Sequence, residues 1–141
     1  MVRTFIGTYY RNLDNKGRLL LPAQLLGKER PALYLLRGFD GCVSVYVKED
    51  YDALIESLRS LDFRNPEDRA YIRNVTASAS PLKFDSVGRI LLEKDVCREY
   101  GLETEITIIG VLDHFEIWDR KAYAAYVMSN GSFSSQANRR S

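Results

Sequence analysis

Four residues carry the clearest chemical signal in this chain: Asp14 and Arg18 in "LDNKGRLLLP", and Asp85 and Arg89 in "FDSVGRILLE". Each pair brackets a glycine, Gly17 or Gly88, and the second set lies 71 positions after the first. An Asp that opens a type I turn accepts hydrogen bonds from backbone N–H groups further along the turn, and a Gly at the fourth position supplies the positive φ that leads into a strand. Asp14, Gly17, Asp85 and Gly88 are therefore turn-shaping residues, explained by folding alone. Arg18 and Arg89 are not. A guanidinium there can fold back onto the Asp as an ion pair, or point outward and offer a fixed fork of donors to phosphate oxygens or to O6 and N7 of guanine. The first turn adds Asn15 and Lys16 in its loop and Arg11 just before it, whereas the second has Ser86 and Val87. The first tip is expected to be the more cationic.

The elements that position these turns are also stated twice. After the first turn come Leu19, Leu20 and Leu21, then Pro22 opening a short helix as its first residue, two strand-like runs ("ALYLLRG" and "CVSVYV"), and a helix with Tyr51, Leu54, Ile55, Leu58 and Leu61 on one stripe. The order is hairpin, short helix, hairpin, helix. The second turn is followed by the same order, with "EKDVCREY" as the short helix stopped by Gly101. Between the copies, Asn65 as N-cap and Pro66 at the next position start a linking helix. Two units at 5–50 and 79–123 joined by helices at 51–78, with a polar tail at 128–141 expected to lack structure, form a pseudo-twofold pair rather than a solenoid, which needs about three or more repeats.

Composition narrows the function. At 141 residues, with 45% hydrophobic and 28% charged residues, the chain suits one soluble domain. It has neither an apolar run of about 20 residues nor the uninterrupted core of a signal peptide. The net charge is only +1, yet Met1–Arg37 holds seven bases against two acids, while residues 38–79 hold five bases against eight acids. One end is suited to a polyanion. The single histidine, His114, has no triad around it, so catalysis is not expected. Cys42 and Cys97 lack metal-site spacing, and neither a metal nor a cofactor is expected. One oddity is that Cys42 and His114 occupy equivalent positions, which a twofold could bring together.

With these residues in view, the sequence resembles the MraZ family of bacterial transcriptional regulators. The duplicated DxxxR turns, "RGFDGCVSVY", the linking helix and "GVLDHFEIWDRKAYAAY" appear in the family's order over about residues 3 to 127. The resemblance implies an α+β, mostly β fold of two SpoVT/AbrB-like, swapped-hairpin, double-ψ-barrel-like units. It further implies a homo-oligomeric ring whose tips bind short direct repeats in double-stranded promoter DNA upstream of the division and cell-wall gene cluster, usually repressing it from the cytoplasm and nucleoid. Carried over by position, the DxxxR residues are Asp14 and Arg18, and Asp85 and Arg89; the expected DNA-binding residues are Arg18 and Arg89, with Lys16, Asn15, Ser86 and Arg11 added from the make-up of the tips. The chain departs from the family pattern at Glu93, where many second copies have Pro, and at Val87, which takes the place of a polar or basic loop residue.

Two other classes remain open at the level of residues. In one, apolar helical faces build a scaffold for protein partners and the tips are only salt-bridged turns. In the other, an antitoxin-like AbrB domain binds a toxin through its tail, which here has few apolar anchors. Neither a small-molecule substrate nor a membrane is expected as a partner. Steep salt dependence and sensitivity to Arg18→Ala separate a DNA binder from a scaffold. Tyr9, Tyr10, Tyr46, Tyr51, Trp118, Tyr123 and Tyr126 are candidates for stacking single-stranded bases, but repeat equivalence of Tyr46 with Trp118 and of Tyr51 with Tyr123 points to packing.

Overall fold

A computed structural model describes residues 3–140. The strands are β1 (Phe5–Asn12), β2 (Arg18–Leu20), β3 (Leu33–Arg37), β4 (Val43–Val47), β5 (Ser80–Leu82), β6 (Arg89–Leu91), β7 (Glu105–Leu112) and β8 (Phe115–Asp119). The helices are α1 (Ala23–Leu26), α2 (Lys48–Leu58), α3 (Pro66–Ser78), α4 (Lys94–Glu99), α5 (Arg120–Ser129) and α6 (Phe133–Asn138). The class is α+β, and every strand pairing is antiparallel.

The turn-flanking strands do not pair with each other. β1 runs along β7, β5 runs along β3, and β2 pairs with β6, so the expected first hairpin of each unit is exchanged between the units. The exchange matches the swapped-hairpin units that the resemblance implies and corrects the local hairpin reading of the turns, of which a single bridge between Phe84 and Ile90 remains. Only the β3–β4 and β7–β8 hairpins close within a unit. The six-stranded sheet accordingly runs β1-β7-β8-β4-β3-β5, and β2-β6 forms a separate ribbon. Reversed and with the copies exchanged, that order reproduces itself.

The pseudo-twofold can be located from the register. Leu19 faces Ile90, its own counterpart in the ribbon, and Ser44 faces Glu116, its own counterpart in the large sheet. Leu19 and Ile90 are fully buried, as are Val43, Val45, Ile106, Ile108, Phe115 and Ile117, and together they form one core between ribbon and sheet. Period-two alternation explains the result: the same strands that turn 19 and 90 inward turn Arg18, Leu20, Arg89 and Leu91 outward. Neither unit has a complete core alone.

The same register corrects the Cys42–His114 expectation. Extended by one pair, it sets His114 opposite Tyr46, on which its ring stacks at 4.5 Å. Cys42 then falls four residues away at the other end of the strand pair, about 13 Å at 3.3 Å per residue. Burial, with the Glu116 carboxylate nearby, raises the Cys42 pKa, as expected of a packed thiol.

On the other face, Tyr51, Leu54, Ile55 and Leu58 of the α2 stripe pack as expected against Leu36, Tyr46, Ile72 and Val75, joined by Leu61, which lies past the end of the helix rather than on it. Tyr51 stacks on Tyr34 at 4.1 Å, and Tyr123 and Tyr126 each lie 5.1 Å from Trp118. These aromatics are packing groups. Asn65 accepts from the N–H groups of Glu67 and Asp68 ahead of Pro66, confirming the α3 start. Pro22, by contrast, has ψ 138 and is the N-cap of α1 rather than its first residue. Gly101, with φ +63, ends α4 by donating to Arg98, while Leu102 donates to Cys97. The tail, expected to lack structure, contains α6, whose start is capped by Ser132 accepting from Ser135 N–H.

Candidate nucleic-acid interface

Both DxxxR turns close in the same way. In the first, Gly17 N–H donates to the Asp14 carbonyl at 3.0 Å, and Asp14 N–H donates to the Arg18 carbonyl at 3.1 Å. Asp14 Oδ1 accepts from the backbone of Lys16 at 2.9 Å and of Arg18 at 2.8 Å, and Oδ2 takes Arg18 Nε at 2.5 Å. In the second, Asp85 Oδ1 accepts from Val87 N–H at 3.0 Å and Arg89 N–H at 2.9 Å, with Arg89 Nε on Oδ2 at 2.7 Å. The backbone N–H of each arginine, followed by its side chain, lowers the carboxyl pKa of both aspartates, that of Asp85 to about 2. They are therefore carboxylates at neutral pH, holding turn and guanidinium together.

The ion-paired reading is thus what the structure shows, but the pairing engages each guanidinium through Nε. Among the described residues the terminal nitrogens of Arg18 form no hydrogen bond, and those of Arg89 have only the Asp14 carboxylate at 3.9 Å. Asp14 therefore lies near both arginines. Both sit on the outer face of the β2·β6 ribbon, in cross-strand pairs Arg18–Leu91 and Leu20–Arg89. Two guanidiniums, each aimed by a carboxylate, share one surface with exposed Leu20 and Leu91.

The remaining expected residues separate into two groups. Asn15, Lys16, Ser86 and Val87 are all exposed on the loops. Arg11, expected to serve the first tip, instead lines a groove with Val87 and Gly88 of the second, together with Lys28 and Arg30. A corresponding groove of about 660 Å³ beside Asn15 and Lys16 is lined by Lys94 and Arg98 from α4. Sequence reasoning missed Arg30, Lys94 and Arg98 as neighbours of the tips, because only the exchange of strands brings them there. Of the three, only Arg30 entered the charge count of the basic first 37 residues.

The two glycines differ in what they touch. Gly17, at φ +81, lies against Leu92: its carbonyl accepts from Leu92 N–H at 2.8 Å, and a Cβ would stand 2.2 Å from the Leu92 carbonyl oxygen. Gly88, at φ +94, faces the Arg30 guanidinium, 3.1 Å from where a Cβ would be.

No cluster of histidine, cysteine or carboxylate side chains among the described residues is arranged to hold a metal. No helix among them is long and apolar enough to cross a membrane.

Comparison with known proteins agrees with the duplicated architecture. A family model described as "MraZ protein", with the further words "antitoxin-like", matches twice, at residues 4–74 and 76–141. A protein of Corynebacterium glutamicum (strain R) named "Transcriptional regulator MraZ" is 42% identical over 122 residues, covering 86% of this chain and 85% of that protein. A protein of the same name from Rhodococcus opacus (strain B4) is 38% identical over 133 residues, 94% of this chain and 93% of its own length. One from Thermomicrobium roseum is 37% identical over 121 residues, covering 86% and 85% respectively. The relatives bear the name of a regulator, not of an enzyme. With one turn-and-strand unit stated twice, exchanged across a pseudo-twofold and matched by the family model in each half, the chain belongs to the MraZ family.

Proposed function

We propose that this protein is a transcriptional regulator that binds double-stranded DNA sequence-specifically through Arg18 and Arg89. The observation that carries the reading is the placement of both guanidiniums on one outer face, each tethered through Nε to a turn aspartate. A tether of this kind fixes the plane of the fork before DNA arrives, so less side-chain entropy is lost on binding. The terminal N–H groups then make the bidentate contact to guanine O6 and N7, and Leu20 and Leu91 offer apolar surface to thymine methyls. Lys16, Asn15, Ser86 and Arg11 serve the sugar-phosphate backbone around them.

The operator is a set of short direct repeats in the promoter of the division and cell-wall gene cluster, which the protein represses, working in the cytoplasm at the nucleoid. A chain of net charge +1 has little excess positive charge for this task, so several copies in a ring engage successive repeats. Avidity of that kind raises affinity by about 10² to 10⁴ without new contact types.

The test is fluorescence anisotropy on the DNA upstream of this protein's own gene, against scrambled DNA of equal length, at two salt concentrations. Tight, salt-sensitive binding that needs the repeats, abolished by Arg18→Ala with the oligomer intact, is the expected result. Equal, weak binding to both DNAs overturns the reading and favours a protein scaffold.

A further inference from the structure

Each tip borrows its neighbouring cations from the other half of the chain, and at the second tip the borrowing replaces something missing. The first loop has Lys16; the equivalent residue of the second is Val87, 61% exposed and uncharged. Arg30, which follows α1 in the first half, reaches across to that loop. Its Nη1 lies 3.3 Å from the Asp85 carbonyl and 3.5 Å from the Ser86 carbonyl, so the guanidinium lies against the loop backbone beside Val87. Gly88 leaves room for it, since a Cβ there would stand 3.1 Å from Nη2. No carboxylate among the described residues pairs with Arg30; neighbouring Glu29 is taken by Arg3. The cation is exposed, seated on the tip and free to accept an anion.

We infer that Arg30 is a DNA-phosphate contact of the second tip, supplied in trans by the first unit, and that it stands in for the basic loop residue absent at Val87. The inference rests on the DNA-binding reading and extends it. An Arg seated on two carbonyls through one nitrogen keeps its other donors for a phosphate oxygen. The contact carries no base information. Its loss therefore weakens operator and scrambled DNA alike, unlike the loss of Arg18.

The experiment measures the slope of log affinity against log salt for the full chain and for Arg30→Gln, Arg30→Lys and the double variant Arg30→Gln/Val87→Lys, on operator and scrambled DNA. Arg30→Gln is expected to reduce the slope by about 1 for each engaged chain and to weaken both DNAs by the same factor. Arg30→Lys keeps the slope, and Val87→Lys restores it in the Gln background. An unchanged slope in Arg30→Gln, with sequence-specific binding by the unaltered chain, overturns the role of Arg30 and leaves the DNA-binding reading standing. Restoration by neither lysine overturns the stand-in role. Binding of the unaltered chain that ignores sequence overturns the wider reading, while the slopes still judge Arg30.

Discussion

The two tips share one backbone plan yet are supported differently. The first is wedged: Gly17 lies against the Leu92 backbone and Lys16 supplies its own loop charge. The second is braced by a side chain, with Arg30 against the carbonyls of Asp85 and Ser86 and the uncharged Val87 at its outer edge. Duplication preserved the parts that any DxxxR turn requires, Asp, Gly and Arg, and let the surroundings diverge. The comparison teaches that the aspartates and glycines answer to folding, whereas the turn does not fix the cations around them.

The comparison breaks most severely at the point the halves share. Leu19 and Ile90 face each other with no exposure, so Ile90→Ala removes packing from both units together and is expected to cost about 2–5 kcal/mol. Urea unfolding followed by circular dichroism measures it, and a loss under about 1 kcal/mol sinks the shared core.

The glycines sharpen the contrast. Gly88→Ala bears the positive-φ strain of about 1–3 kcal/mol, and Arg30 can move aside. Gly17→Ala bears comparable strain and also drives Cβ into a backbone oxygen, so it is expected to destabilise more than Gly88→Ala in the same assay. Equal losses contradict the wedged and braced distinction.

Away from the tips, Asn65→Ala removes the cap of α3 and is expected to cost about 0.5–2 kcal/mol, with no effect on the DNA salt slope.

The smallest effect is that of acid. The Asp85 pKa is lowered to about 2, so its stabilising contribution is complete above the ordinary carboxylate range near pH 4 and fades as pH falls toward 2. Asp85→Asn is expected to flatten the stability profile over that window and, above pH 5, to lower its level without changing its shape. A parallel profile in the variant contradicts the assignment.

Much of this was legible in the sequence because it depends on neighbours along the chain. Asn65-Pro66 start a helix by local hydrogen bonding, Gly101 ends one through its φ, and the α2 stripe follows from 3.6 residues per turn. The DxxxR turns belong to the same kind: Asp14 and Asp85 each bond within four residues, so two strings that share Asp, Gly and Arg close with the same hydrogen bonds. The family resemblance, carried by those strings and their order, was legible as well.

What the sequence by itself determined is therefore the elements ahead of the tail, the duplication and the turn chemistry. Only the tertiary structure decided which strand pairs with which. A three-residue strand such as β2 or β6 has one inward side chain and cannot form a core with its own neighbours, so Leu19 and Ile90 bury each other and the hairpins exchange. That exchange moved Arg11 from the first tip to the groove of the second and brought Arg30 against Gly88, while the β4–β8 pairing kept Cys42 and His114 at opposite ends of a strand pair. Contacts between residues far apart in the chain depend on this long-range burial, which no local spacing records.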